Sequence, residues 1–235
     1  MKLMIFFANE YLLCRELHRY PKPVLAWGNG LIMGGGWGLF AASSHRIVTE
    51  TAQLAMPEIA IGLFPDVGAS SWLHQLADGV GRFLLLTAAR LNASDALAAG
   101  AADWALPAHG FQLLRDGMTE LTWLGQPQAD AQMLSQLVDA LSGALQPPLP
   151  PGHWQPVREQ VRALVAGDDL DAILARIDAL HSDNVWLQKR TITDARRLTD
   201  IHPPGLVAGA ARRDAGLRCR GRHGNAGGAA RGALW

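Results

Sequence analysis

Two acidic residues and a run of glycines hold the chemistry that this chain could perform. Glu58 and Asp66 sit among Met56, Ile59, Ile61, Leu63, Phe64 and Val67. In so apolar a setting a carboxylate is costly to bury unless it is hydrogen-bonded or serves a reaction. Upstream, Gly34, Gly35 and Gly36 follow the turn residues Gly28-Asn29-Gly30. Glycines at a helix N-terminus let a ligand approach the backbone closely, and the free N–H groups there can donate to an anion or to a carbonyl oxygen gaining negative charge. A neighbouring pair of acids with separated pKa values suits an acid and a base. Each feature also has a plainer reading: close packing for the glycines, a helix cap or a surface acid for Glu58 and Asp66. The glycine spacing is neither a P-loop, since no Gly-Lys-Ser/Thr follows, nor the dinucleotide fingerprint.

The elements that would carry these residues follow from pattern. Val24-Leu25-Ala26-Trp27, stopped by Gly28-Asn29-Gly30, predicts a buried strand, and the triple glycine predicts a sharp turn into a helix beginning at Trp37. Ahead of it, 8–19 reads as a helix with Tyr11, Leu12, Arg15 and His18 on one face, ended by Pro21 and Pro23. Beyond Gly68, helices are expected over 69–76, with Trp72 and Leu73 inward, and over 81–89. A turn at 91–94 leads into a further helix, with Ser94 as its N-cap and Gly100 as its stop, and 103–106 reads as a short strand. From Phe111 the period is helical. Met133, Leu134, Leu137, Val138, Leu141 and Leu145 make one apolar stripe, and Leu170, Ile173, Leu174, Ile177 and Leu180 another, capped by Asp168 or Asp169. Pro147-Pro148-Leu149-Pro150-Pro151 reads as a stiff linker between them, and Trp154 and Trp186 as packing residues. His74 has no partner at metal spacing and reads as a surface histidine.

Four segments in order, Pro21-Lys22-Pro23-Val24, Met33-Gly34-Gly35-Gly36-Trp37-Gly38, His45-Arg46-Ile47-Val48-Thr49 and Met56 to Gly68, resemble the enoyl-CoA hydratase/isomerase (crotonase) superfamily, and within it the 3-hydroxyisobutyryl-CoA hydrolase branch. The resemblance runs from Phe6 to Leu106 and continues more weakly towards Gln188. It implies an α/β fold, a crotonase-like spiral of ββα units with a helical C-terminal region. It also implies that the chain is shortened at its front, because Met1 falls where the family already has its opening strands and helices. The second oxyanion N–H and much of the CoA surface would belong to those elements.

Residue by residue, the resemblance makes the Gly35 N–H a donor to the thioester oxygen and places Gly34, Gly36 and Phe64 against the substrate. It makes Glu58 the acid shared by hydratases and hydrolases, and Asp66 the aspartate of the hydrolases. Where hydratases carry a second glutamate this chain has Gly38, which argues against hydration. The implied reaction is hydrolysis of a short 3-hydroxyacyl-CoA such as 3-hydroxyisobutyryl-CoA, as in valine breakdown. Glu58 would attack the carbonyl or activate water, and Asp66 would orient the 3-hydroxyl or assist the leaving thiol. The alternatives are another crotonase reaction, hydration or isomerisation, or an inactive chain that serves only as an interaction partner or oligomer subunit. CoA would be part of the substrate, with no separate cofactor and no metal.

Composition narrows the class. A 235-residue chain that is 49% hydrophobic and 18% charged fits a globular protein with material for a sizeable core. A formal net charge of zero gives no global pull towards nucleic acid or membrane. Cys14 and Cys219 are too few for a disulfide framework, and the apolar opening is too short for a membrane span and lacks a cleavage site, so a cytoplasmic location is expected. Residues 1–107 are expected to form a partial crotonase core, 108–188 a helical region, and 189–235 a divergent, disordered basic tail. From Gly205 that tail turns to glycine, alanine and arginine, as out-of-frame translation of a GC-rich gene would produce. A nucleic-acid-binding arm is the other reading of its arginines, and the absence of interleaved aromatics weighs against it. Acyl-CoA as substrate and a homo-oligomer are the partners expected.

Overall fold

In the computed structural model, which describes residues 2–188, strands of two to four residues alternate with helices. The apolar run becomes strand β1 (Leu25–Gly28), as expected, but the chain does not pass straight into a helix. It turns at Asn29-Gly30, where Gly30 takes a φ of 75°, and forms a second strand, β2 (Leu31–Met33). Helix α2 (Gly35–Ala42) then starts two residues before Trp37, with Gly34 as its cap at φ 53°. A left-handed cap lets the helix begin inside the glycine run despite glycine's poor helix propensity. The next unit repeats the plan with β3 (His45–Val48) and β4 (Gln53–Ala55). Later come β5 (Leu91–Asn92) and β6 (Trp104–Ala105).

Each pair of successive strands is shared between two sheets. β1, β3 and β6 form one, in that order and parallel throughout, with Leu25 opposite His45 and Ile47 opposite Trp104. β2, β4 and β5 form the other, with β2 and β4 parallel and β5 antiparallel to β4. In the second sheet Met33 pairs with Ala55. The centre of the molecule lies where the sheets meet the helices: Val48, Leu54 and Met56 are buried with Trp37 and Phe40 of α2, and with Phe83 and Leu84 of α4 (Val80–Thr87). Parallel strands covered on both faces read as such near-continuous apolar runs.

Helix α1 (Lys2–Arg19) starts earlier than the pattern suggested and packs against α2. Its inward face also differs. Cys14 is fully buried, whereas Leu12 and Leu13 are about half exposed, so Phe7, Glu10, Tyr11 and Cys14, at i, i+3, i+4 and i+7, line the side towards the body. The helix expected over 69–76 is a single turn, α3 (Ala69–Trp72), that tightens into a 3-10 turn at Leu73–Gln75. Leu73 is buried, and Trp72, half-buried, packs against Trp37 with ring centroids 4.9 Å apart and the rings tilted by 46°.

Helix α5 (Ala93–Ala99) is capped by Asn92 and not by Ser94. Asn92 accepts from the Asp95 N–H while the Asp95 carboxylate accepts from the Asn92 N–H, a capping box that Ser94, two residues further on, cannot make. Ser94 instead donates to the Pro150 carbonyl, and Asn92 Nδ2 donates to that of Pro151. The proline segment is therefore a strap fastened across α5. Asp95 secures its far end by accepting from the His153 and Trp154 N–H groups at 2.6 and 3.1 Å.

The helices beyond Phe111 complete two cores. α6 (Phe111–Glu120) and α7 (Pro127–Leu145) bury Leu114, Leu134 and Val138 against Ile47 and Leu106. α8 (Arg158–Leu164), α9 (Leu170–Asp178) and α10 (Val185–Gln188) add Val161, Ile173, Ile177, Trp186 and Leu187 to the central cluster. Asp169 caps α9 by accepting from the Ala172 N–H, and Trp186 Nε1 donates to the Arg90 carbonyl. Among the described residues no helix is long and apolar enough to cross a membrane, and no cluster of side chains could hold a metal ion. The proposed basic tail, 189–235, and Cys219 lie outside the described residues.

Candidate active site

The site grows from the paired ends of β2 and β4. Met33 and Ala55 are opposite each other, and the Gly34 N–H donates to the Ala55 carbonyl at 3.2 Å. The start of α2 is thereby fixed beside Met56-Pro57-Glu58. Glu58 opens a 3-10 turn, Glu58–Ile61, closed by Gly62 in the left-handed region with a φ of 74°. Its own carbonyl accepts from the Leu63 N–H, so the backbone that carries the carboxyl is held at both ends of the turn.

The Glu58 side chain is only 8% exposed. Its Oε2 is buried without a hydrogen-bond partner, and its Oε1 lies so near Gly34 that a Cβ there would come within 2.8 Å. Any side chain at position 34 would both strain the backbone and displace the carboxyl. Burial pushes the Glu58 pKa up from 4.5 to about 6, with a smaller push from the charges of Asp66 and Glu10 and an opposing pull from its own backbone N–H.

Asp66 lies on the loop that follows. Its carbonyl accepts from the Ala69 N–H at 2.7 Å, and the two residues between the turn ends, Val67 and Gly68, both have positive φ, 45° and 74°. A β-branched residue in that region is a strained outlier. Val67 is nonetheless buried, because its side chain fills the space over Gly38: a Cβ at Gly38 would lie 2.6 Å from Val67 Cβ. The position at which the resemblance puts the hydratase glutamate is thus occupied from the other side.

Of the predicted residues, Gly34 and Glu58 meet at the N-terminus of α2, where Gly35 follows, and Asp66 is near enough for its charge to act on Glu58. Gly36 faces open space, with nothing near where its Cβ would be. Phe64 is exposed, as are its neighbours Ile61 and Leu63.

Two participants were not picked out by residue type. Glu10 and Tyr11 reach the site from α1. The Glu10 carboxyl covers Gly35, where a Cβ would fall 2.0 Å from Oε1, and burial together with Asp66 raises its pKa. A helix N-terminus favours negative charge at that spot. Tyr11 Oη donates to Asp66 Oδ2 at 2.8 Å. The signal was present in the sequence as the 7, 10, 11, 14 spacing around Cys14, but a face that mixes an acid, a phenol and a thiol does not read as an inward one.

The sequence profile of one family, enoyl-CoA hydratase/isomerase, matches residues 2–198. The chain belongs to the enoyl-CoA hydratase/isomerase family. Within that family it is 39% identical over 117 residues to the mitochondrial 3-hydroxyisobutyryl-CoA hydrolase of Danio rerio, a match over 50% of this chain and 31% of that one. It is 43% identical over 115 residues to the small ribosomal subunit protein mS47 of Schizosaccharomyces pombe, covering 49% of this chain and 27% of that one. Among solved structures, a carnitinyl-CoA dehydratase from Mycobacterium thermoresistibile superposes with a TM-score of 0.62 at 29% identity, over 79% of this chain and 52% of that one. The shared architecture is the crotonase fold, with the two-sheet ββα plan described above. The chain spans about a third of the length of the curated relatives it matches.

Proposed function

We propose that the chain hydrolyses a short 3-hydroxyacyl-CoA thioester, with 3-hydroxyisobutyryl-CoA as the substrate to test. The observation that carries this reading is the Glu58 carboxyl, buried with one oxygen unpartnered and laid against the glycine-lined start of α2. A thioester carbonyl placed there, once the Glu10 carboxyl has swung off Gly35, meets an N–H donor at Gly35 and a carboxylate at Glu58. As attack proceeds, negative charge gathers on the carbonyl oxygen, and one preorganised donor is worth roughly 3 kcal/mol to such a transition state. Glu58, with a pKa of about 6, is mostly ionised near neutrality and dry enough to be reactive. Either it takes a proton from the water that attacks the carbonyl carbon and passes it on to the thiolate, or it attacks that carbon itself and water then hydrolyses the resulting mixed anhydride, releasing the acid, freeing Glu58 and supplying the thiol proton. In both cases the C–S bond breaks, and the thiolate leaves with a proton. In this reading Asp66 holds the substrate's 3-hydroxyl or assists that proton.

Hydration fits less well, because Val67 fills the space over Gly38. The likeness to a Danio protein named as a 3-hydroxyisobutyryl-CoA hydrolase supports the substrate class. A second reading, a chain kept as a binding partner without turnover, is supported by the likeness to a relative named as a ribosomal subunit protein.

The test is release of free CoA from 3-hydroxyisobutyryl-CoA by the full chain and by Glu58→Gln. Turnover that falls at least a hundredfold in the variant, with an acid limb near pH 6 in the parent, is the expected result. A folded parent chain that releases no CoA overturns the hydrolase reading.

A further inference from the structure

One contact joins parts of the chain far apart in sequence, and the reaction as written does not use it. Tyr11 Oη donates to Asp66 Oδ2 at 2.8 Å across 55 residues. Tyr11 is 38% exposed, so its ring adds little to the core. Phe7, one turn earlier on α1, holds the ring at a centroid distance of 6.2 Å and an interplanar angle of 30°. On the other side, the turn through Val67 and Gly68 fixes the Asp66 backbone. Asp66 is therefore constrained twice, at its main chain by the turn and at its carboxylate by the phenol.

We infer that Tyr11 is a positioning residue: its hydroxyl engages one oxygen of Asp66 so that the other is held ready for the acyl group bound between Glu58 and Gly35. The inference rests on the hydrolase reading above. Because Asp66 and Glu58 feel each other's charge, the same hydrogen bond sets how easily the pair holds two negative charges. Glu10, next to Tyr11 on the helix, faces Gly35, so one turn of α1 presents both groups to the site. Burial and the Asp66 carboxylate together push the Tyr11 phenol well above the ordinary tyrosine range.

Two measurements on the full chain test this. In Tyr11→Phe, kcat for CoA release is expected to fall at least tenfold with KM changed less than threefold, and the acid limb of the pH profile should move to higher pH. Loss of the donor makes the doubly ionised pair harder to reach. A phenol that only packed would lower activity without moving the limb, and that result overturns the inference.

The second measurement does not depend on turnover. The chain has two tyrosines, so in a Tyr20→Phe background the absorbance of tyrosinate reports Tyr11 alone. Adding Asp66→Asn should bring its ionisation to lower pH. An unchanged titration would overturn the Tyr11–Asp66 link, whereas absence of CoA release from the parent chain would overturn the hydrolase reading and leave the titration to decide the link.

Discussion

Removing the charge of Glu58 should make the protein more stable, by an amount that depends on pH. The carboxyl has an ordinary pKa of 4.5 and is held at about 6 in the fold, chiefly by burial. An acid whose pKa is raised by folding binds its proton more tightly in the native state, so the native state is favoured when that proton is present. Below pH 4.5 the group is protonated in both states and costs nothing; above pH 6 it is ionised in both, and the whole cost falls on the native state. The difference between 4.5 and about 6, at about 1.4 kcal/mol for each pH unit, gives about 2 kcal/mol.

Glu58→Gln keeps the shape and removes the charge. Urea unfolding of both full chains, followed by tryptophan fluorescence at about pH 8 and about pH 4, should show the variant gaining about 2 kcal/mol more over the parent at the higher pH than at the lower. Taking the difference between the two conditions cancels any pH-independent change in hydrogen bonding. Equal differences at both pH values would refute the reasoning, and a gain confined to low pH would mean that the ionised carboxylate has a stabilising partner.

Two further perturbations probe the surroundings. Gly38→Ala places a methyl group 2.6 Å from the Cβ of Val67, a residue already held at a φ of 45°, and should cost roughly 1–3 kcal/mol in urea unfolding. Combining it with Val67→Ala should return at least half of that loss, and strictly additive losses would show that the two residues do not compete for one space. Asp95→Ala removes the acceptor of the Asn92, His153 and Trp154 N–H groups. A cost of about 3 kcal/mol is expected, with faster proteolysis within 147–153, and unchanged cleavage there would show that the strap is held by other contacts.

The motif residues were legible because their chemistry depends on residue type. Glycines that open a helix and acids in an apolar run stand out without coordinates, and the structure sets Glu58 against Gly34 with the charge of Asp66 felt there. The helix stripes were legible for a similar reason: Leu134, Val138, Ile173 and Ile177 recur at the helical period and are buried. Position 31–33 was missed as a strand because three residues are too few to show a period, and its identity comes from pairing with β4. The proline strap was read as a linker because composition reports stiffness, while the carbonyls of Pro150 and Pro151 find their donors only in three dimensions. Glu10 escaped notice, and Tyr11 was read only as part of a helix face with Leu12, Arg15 and His18, since an inward face is recognised by apolar residues and theirs mixes an acid and a phenol with Phe7 and Cys14.

The pairing of Met33 with Ala55 works as a ruler. Gly34 and Glu58 are measured from neighbouring strands of one sheet, so the gap between donor and carboxylate is set by ladder hydrogen bonds and not by the loops. Changes of chain length should then be tolerated very unequally. An added residue in the Asn29-Gly30 corner or between β3 and β4 lies at the opposite strand ends and can bulge outwards. A residue added within β2 or β4 shifts one mark on the ruler by about 3.3 Å and turns each following side chain to the other face. Variation in natural or engineered homologues should therefore collect at the corners, leaving the distance from glycine to acid unchanged while the outline of the protein drifts.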